Sequence, residues 1–164
     1  MKFEIGDRVV HPQHGVGYIT GVEDKQFDSR GLRTFYVVSI PDTTLWVPVD
    51  LSDSGLRKIS KIEDIEQCRN ILQAAPLTLK ADRGLMTILA LQIKQGTVLA
   101  HCEVVRDLTA FGWRKPIFGP LADYQRMLLN VLCQEWAVVS GISESSALHE
   151  IDVLLRKCRS VHEH

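Results

Sequence analysis

Over the first third of the chain, apolar and polar positions alternate in short runs, and each run is bounded by turn-forming residues. Val9-Val10-His11 and residues 16–22, 34–40 and 45–49 are four such runs, rich in the β-branched and aromatic residues that suit a half-buried pleated strand. Gly6-Asp7 can turn the chain into the first run. Pro12 lacks a backbone donor and Gly15 permits positive φ, so residues 12–15 can turn it out again. Asp28-Ser29-Arg30-Gly31 and Pro41-Asp42-Thr43 read as hairpin breaks. Strand side chains alternate sides, so Leu45, Val47 and Val49 share one face of the fourth run and leave Trp46 and Pro48 on the other.

From Ser60 the period lengthens to that of a helix. Ser60-Lys61-Ile62-Glu63 has the form of a capping box, and Ile62, Ile65, Cys68, Arg69 and Leu72 follow at helical spacing until Pro76. After a polar step at residues 80–82, Leu85, Met86, Ile88, Leu89 and Ile93 make a second helix that stops at Gly96. Thr97 can cap a third, carrying Val98, Cys102, Val105 and Leu108. Gly119-Pro120 opens a fourth through Met127, Leu128, Val131, Leu132 and Val138 to Gly141; Ser143 opens a fifth with Leu148, Ile151, Leu154 and Leu155 inward. The pattern predicts an α+β chain: an SH3/Tudor-like small β-barrel over residues 1–58, then a compact bundle of about five helices over residues 59–164.

Composition narrows the functions. The 164 residues are 45% hydrophobic and 24% charged with a net charge of −1, and residues beyond 60 are balanced too, so no basic field advertises nucleic acid. The four cysteines are scattered without a C-x-x-C pair, as expected of buried thiols in a reducing cytoplasm. No secretory leader is expected from Met1-Lys2-Phe3-Glu4, and no apolar run reaches the ~18 residues of a membrane span, so no membrane role is expected.

Motifs for chemistry are equally sparse. Gly15-x-Gly17 and Gly21 interrupt a strand instead of opening a helix, which argues against phosphate binding. His11 and His14 lack further ligands at zinc spacing, and His101 and Cys102 point in different directions on one helix. The expectation is a non-enzymatic protein with no metal, no cofactor and no small-molecule substrate. Among the aromatics, Trp136 falls in the apolar fourth helix and is expected in the core. Trp46 either stands outward as a contact anchor or packs on the bundle. Trp113-Arg114-Lys115, between Gly112 and Pro116, is expected in a loop, where an aromatic beside two cations can stack on and hold nucleic acid.

The run from Gly6-Asp7 to Gly15, the strand end Val47-Pro48 and the exit Gly55-Leu56-Arg57-Lys58 resemble the CarD/CdnL bacterial transcription regulators. Their N-terminal module is shared with the transcription-repair coupling factor. Glu103-Val104-Val105-Arg106-Asp107-Leu108 and Arg126-Met127-Leu128 extend the resemblance into the helical half, which favours a standalone regulator. The resemblance implies a barrel that binds the β subunit of RNA polymerase by pairing a strand edge with the β1 lobe. It implies a helical domain that reaches promoter DNA at the upstream edge of the melted bubble, where a tryptophan wedges into the minor groove and cations hold phosphates.

Carried onto this chain, the polymerase-binding residues are Lys25, Trp46, Val47 and Pro48. Lys25 keeps the family's basic character and Trp46 does not. The wedge position falls on Asp82, and the basic positions after it on Gly84, Leu85 and Thr87, leaving Arg83 the only cation in that turn. The DNA-binding candidates are therefore Arg83, with Leu85 or Met86 as an aliphatic wedge, or Trp113, Arg114 and Lys115 supplying the aromatic and the cations from another loop. Promoter DNA is expected to be bound weakly by the protein alone and held once polymerase tethers it. An adaptor whose bundle contacts protein instead of DNA is the alternative.

Overall fold

The computed structural model describes residues 2–26, 29, 31–50 and 54–163, which divide into two compact units meeting between Ile59 and Ser60. The expected hairpin break at Asp28-Ser29-Arg30-Gly31 lies in part outside the described residues. Of it, Gly31 adopts φ +89°.

The first unit is an antiparallel sheet of β1 (Arg8–His11), β2 (Gly15–Lys25), β3 (Arg33–Ile40), β4 (Thr43–Pro48) and β5 (Arg57–Lys58), in the order β4-β3-β2-β1-β5. β1 to β4 arise where alternation predicted strands, β5 is an addition that alternation did not mark, and the ring expected of a barrel stays open. Among the described residues β4 and β5 are outer strands, and β5, only two residues long, pairs with β1 alone. The β1–β2 turn explains its histidines: His11 Nδ1 accepts the backbone N–H groups of Gln13 and His14 at 3.1 and 3.3 Å. Gly17 is needed for a close approach, because a Cβ there would sit 2.6 Å from the Ser39 carbonyl oxygen. Further along β2 the pairing slips between Ile19 and Gly21, which makes Thr20 the extra residue of a bulge; its hydroxyl donates to the Val37 carbonyl at 3.3 Å. One face of the sheet holds the core of Phe3, Val9, Ile19, Tyr36, Val38, Val47 and Leu56. Phe3 packs edge-on against Tyr36 and its N–H donates to the Tyr36 hydroxyl.

The second unit contains α1 (Ile62–Gln73), α2 (Leu85–Gln95), α3 (Val98–Arg114), α4 (Gly119–Ser140) and α5 (Glu144–His162). No described helix is long and apolar enough to cross a membrane. Its core runs from Ile65, Cys68 and Leu72 through Leu89, Cys102 and Leu108 to Leu132, Trp136 and Ile151. Three local expectations are corrected. The α1 cap is Lys61, whose N–H donates to Asp64 at 2.9 Å; Ser60 instead gives its N–H to the fully buried carboxylate of Glu135. Leu148, expected inward, faces outward, because the inward stripe of α5 is Ala147, Ile151, Leu154 and Cys158. The third is Trp113-Arg114, which forms the last turn of α3 and not a loop, with Lys115 as its C-cap.

Residues 103–108, which carry the family resemblance into this half, serve the fold. Arg106 and Asp107 are buried and paired at 2.9 Å. Arg106 also donates to the Ile71 carbonyl at the end of α1, while Asp107 accepts the N–H of Leu77 in the segment that follows. Two more carbonyls at this helix end are met by His162, 3.2 Å from Gln73 O, and by the Cys158 thiol, 3.4 Å from Ala74 O. Helix ends leave carbonyls without intrahelical partners, and a cation at a C-terminus also opposes the helix dipole.

Asp107→Ala strands a buried guanidinium and frees the Leu77 N–H, so it is expected to cost about 3 kcal/mol or more, read as a lowered urea midpoint. A second expectation concerns pH. Burial and the nearby Glu144 carboxylate push the Cys133 thiol up to about 11 from 9.0. Its folded-state pKa lies above its unfolded value, so its contribution is complete below pH 9 and lost as pH rises toward about 11. Urea midpoints across that window should fall less in Cys133→Ala than in the unsubstituted chain.

Candidate functional site

Opposite its core, the sheet carries a second, thinner apolar layer. Pairing places Val37 beside Trp46 and Phe35 beside Pro48 between β3 and β4, and Gly21, Glu23 and Lys25 opposite Val37, Phe35 and Arg33 between β2 and β3. Paired residues share a face, so these side chains stand together on the non-core side. Phe35 and Val37 are buried there although they point away from the core. Their cover is a cross-strand cluster. The Lys25 ammonium lies 4.3 Å from the centroid of the Trp46 ring, the Trp46 indole N–H donates to Glu23 Oε2 at 3.0 Å, and Lys25 and Glu23 are 3.6 Å apart. Arg33 lies over Phe35, and Arg8 over Tyr18 further along the same side. An ammonium held on an indole face is a favourable electrostatic contact, and it fixes a ring that remains 37% exposed.

Of the residues expected to bind polymerase, Lys25 and Trp46 are in direct contact and Pro48 sits half-buried beside Phe35. Val47 pairs with Tyr36, is 4% exposed, and turns its side chain into the core, on the face that alternation assigned to it. The backbone is another matter, because β4 is an outer strand. The Val49 N–H donates to the Thr34 carbonyl at 3.0 Å, and the alternation of an antiparallel ladder then turns the carbonyls of Thr44 and Pro48 away from β3. Glu23, Arg33, Phe35 and Val37 were not singled out from sequence. The available signal was parity: on their strands they fall on the face of Lys25 and Trp46.

The residues considered for DNA do not form one site. Asp82 precedes α2 and its carboxylate accepts the Gly84 N–H at 2.9 Å. Arg83 is exposed, and Leu85 is 8% exposed in the core, so Leu85 cannot wedge into a duplex; Met86 is more open. Trp113 and Arg114 line a separate groove of about 300 Å³ with Pro76, Leu77, Thr78 and His162. Trp113 is half-buried under the Arg159 guanidinium, while Arg114 and Lys115 are exposed. Residues 83–122 contain five Lys/Arg against two carboxylates, so the neutral total conceals a basic segment.

Neither histidine reading leads to a reaction centre. His101 Nε2 lies 2.7 Å from the Leu128 carbonyl, the geometry of a structural donor, and Cys102 is buried. Among the described residues no three His, Cys, Asp or Glu side chains gather as a metal site.

Residues 3–60 match the CarD-like/TRCF RID domain family. Over 153 residues the chain is 31% identical to a Bacillus subtilis (strain 168) protein called "Putative transcription factor YdeB", an alignment spanning 87% of this chain and 95% of that one.

The two neighbours on β4 should respond oppositely to truncation. Val47→Ala opens a void in the core and is expected to cost about 2 kcal/mol, whereas Trp46→Ala removes a surface ring and should cost under about 1 kcal/mol. Thermal unfolding of both variants, followed by far-ultraviolet circular dichroism, checks the difference.

Proposed function

The chain belongs to the CarD-like family, and from that premise we propose that it is a transcription regulator that docks on RNA polymerase through the outer face and β4 edge of its sheet. The partner within polymerase is the β subunit, at the lobe that receives a strand edge in the family. The observation that carries this reading is the Trp46–Lys25 pair, an oriented aromatic with a cation on its face, on an outer strand and at the positions where the family contacts polymerase. The physics of such a contact is familiar. Backbone groups of an edge strand supply pairing, and a partly buried aromatic beside them supplies the apolar anchor. Nothing in the cluster calls for covalent chemistry, and the proposed activity is binding.

In this reading the helical unit is carried to the upstream edge of the promoter bubble, with promoter DNA as a partner that is held only when polymerase tethers the protein. Arg83, Met86, Trp113, Arg114 and Lys115 are the side chains available for it. A second reading, an adaptor whose helical unit contacts protein, is favoured by one feature: the turn where the family wedges an aromatic offers Asp82 and a buried Leu85.

Trp46→Ala should weaken binding to an isolated β-lobe fragment about thirtyfold, equivalent to about 2 kcal/mol, with the fold retained. Calorimetric titration of the fragment measures this, and an unchanged affinity overturns the docking face. For DNA, a forked promoter fragment titrated at about 0.15 M salt should bind the free protein weakly and with a shallow salt slope, since few phosphates are neutralised. Tight, steeply salt-dependent binding that disappears in Trp113→Ala would instead make the α3 end a direct DNA site.

A further inference from the structure

Helix α2 is apolar on both sides. Its inner stripe, Leu85, Leu89 and Ile93, is buried against the rest of its unit. On the opposite side Ile88 and Leu91 are 59% and 53% exposed, one turn apart, among exposed Thr87 and Gln95. A surface helix ordinarily turns charged residues to that side. The electrostatics are as one-sided as the packing. No carboxylate occurs between Asp82 and Glu103, and Asp82 is itself turned toward the Gly84 N–H. Exposed Arg83 and Lys94 bracket the stripe, about 16 Å apart at the helical rise.

We propose that this face of α2 docks an amphipathic helix of a protein partner, one whose apolar stripe is flanked by carboxylates. Charge decides the occupant. A second copy of the chain laid antiparallel would set Arg83 against Lys94, and laid parallel would set each cation against itself, so self-pairing meets like charges in both directions. DNA is the poorer fit as well: two cations release few counterions, and a duplex has no apolar surface to cover a stripe of aliphatic side chains. A helix with carboxylates about one helix length apart satisfies the cations and covers Ile88 and Leu91 together. The inference builds on the adaptor reading of the helical unit and is independent of how the sheet meets polymerase.

The test uses the full chain and two synthetic helical peptides of about 18 residues, with leucines in one stripe and either glutamates or lysines beside it. Fluorescence anisotropy at low salt should give saturable binding of the glutamate peptide, at least about tenfold tighter than the lysine peptide. Ile88→Gln/Leu91→Gln, which alters only exposed positions, should weaken it about tenfold or more. Arg83→Glu/Lys94→Glu should reverse the preference between the peptides. Equal binding of both peptides, or binding of neither, overturns the proposal. So does sedimentation equilibrium showing a dimer that Ile88→Gln/Leu91→Gln abolishes, or a forked promoter fragment that protects α2 from hydrogen exchange. None of these readouts involves the β subunit, and Trp46→Ala should leave all of them unchanged, so failure here is separable from failure of the polymerase contact.

Discussion

A strand with a period of two cannot bury four consecutive apolar residues on one side. Phe35-Tyr36-Val37-Val38 in β3 therefore commits the sheet to two apolar faces: Tyr36 and Val38 enter the core, and Phe35 and Val37 need cover on the far side. That cover comes from a few long side chains of neighbouring strands, Trp46, Pro48, Glu23 and Lys25 among them. It is thin enough for the covering residues to remain partly in water. The exposed indole is thus a consequence of how β3 is written, and the cation on its face keeps it in place.

A comparable division holds in the helical unit. Arg106 and Asp107 lie in a stretch that carries the family resemblance outside the sheet, yet they tie the end of α1 and the segment after it to α3. A charged pair inside a helical stripe reads from sequence as a functional signal, and here its partners are backbone groups brought from residues 71 and 77. On α2, by contrast, apolar side chains reach the exposed side as well as the buried one, with Ile88 and Leu91 outward and Leu85, Leu89 and Ile93 inward.

Four strand runs and the number of helices were legible because alternation and helical spacing are local properties, read within a few residues; the order of the strands in the sheet was not. The face of Trp46 followed from parity along β4. What could not be read was anything set by a distant partner. Lys25 and Trp46 are twenty-one positions apart, and their contact depends on two strand registers and a bulge. Ser60 looked like a cap because the local pattern said so, but Glu135 takes its N–H from seventy-five residues away. The burial of Leu85 and the exposure of Ile88 required knowing which side of α2 meets α3. The extension of α3 through Trp113 was missed because Gly112 was weighed as a breaker, although glycine inside a helix costs only about 1 kcal/mol. Openness of the sheet likewise turned on β5 having two residues to pair.

The Thr20 bulge gives β2 two reading frames. Before it, the even-numbered Tyr18 stands on the outer face; after it, the odd-numbered Glu23 and Lys25 do. A residue gained or lost at that point can be taken up by the irregularity already present, whereas one gained between Gly21 and Val22 would turn the acid and the ammonium toward the core and Val22 toward water. The surface on which Trp46 rests therefore tolerates changes of length at one place and forbids them just after it. Lineages of this fold should vary in length accordingly, and the bulge is where two related sheets can differ by a residue and still present the same face.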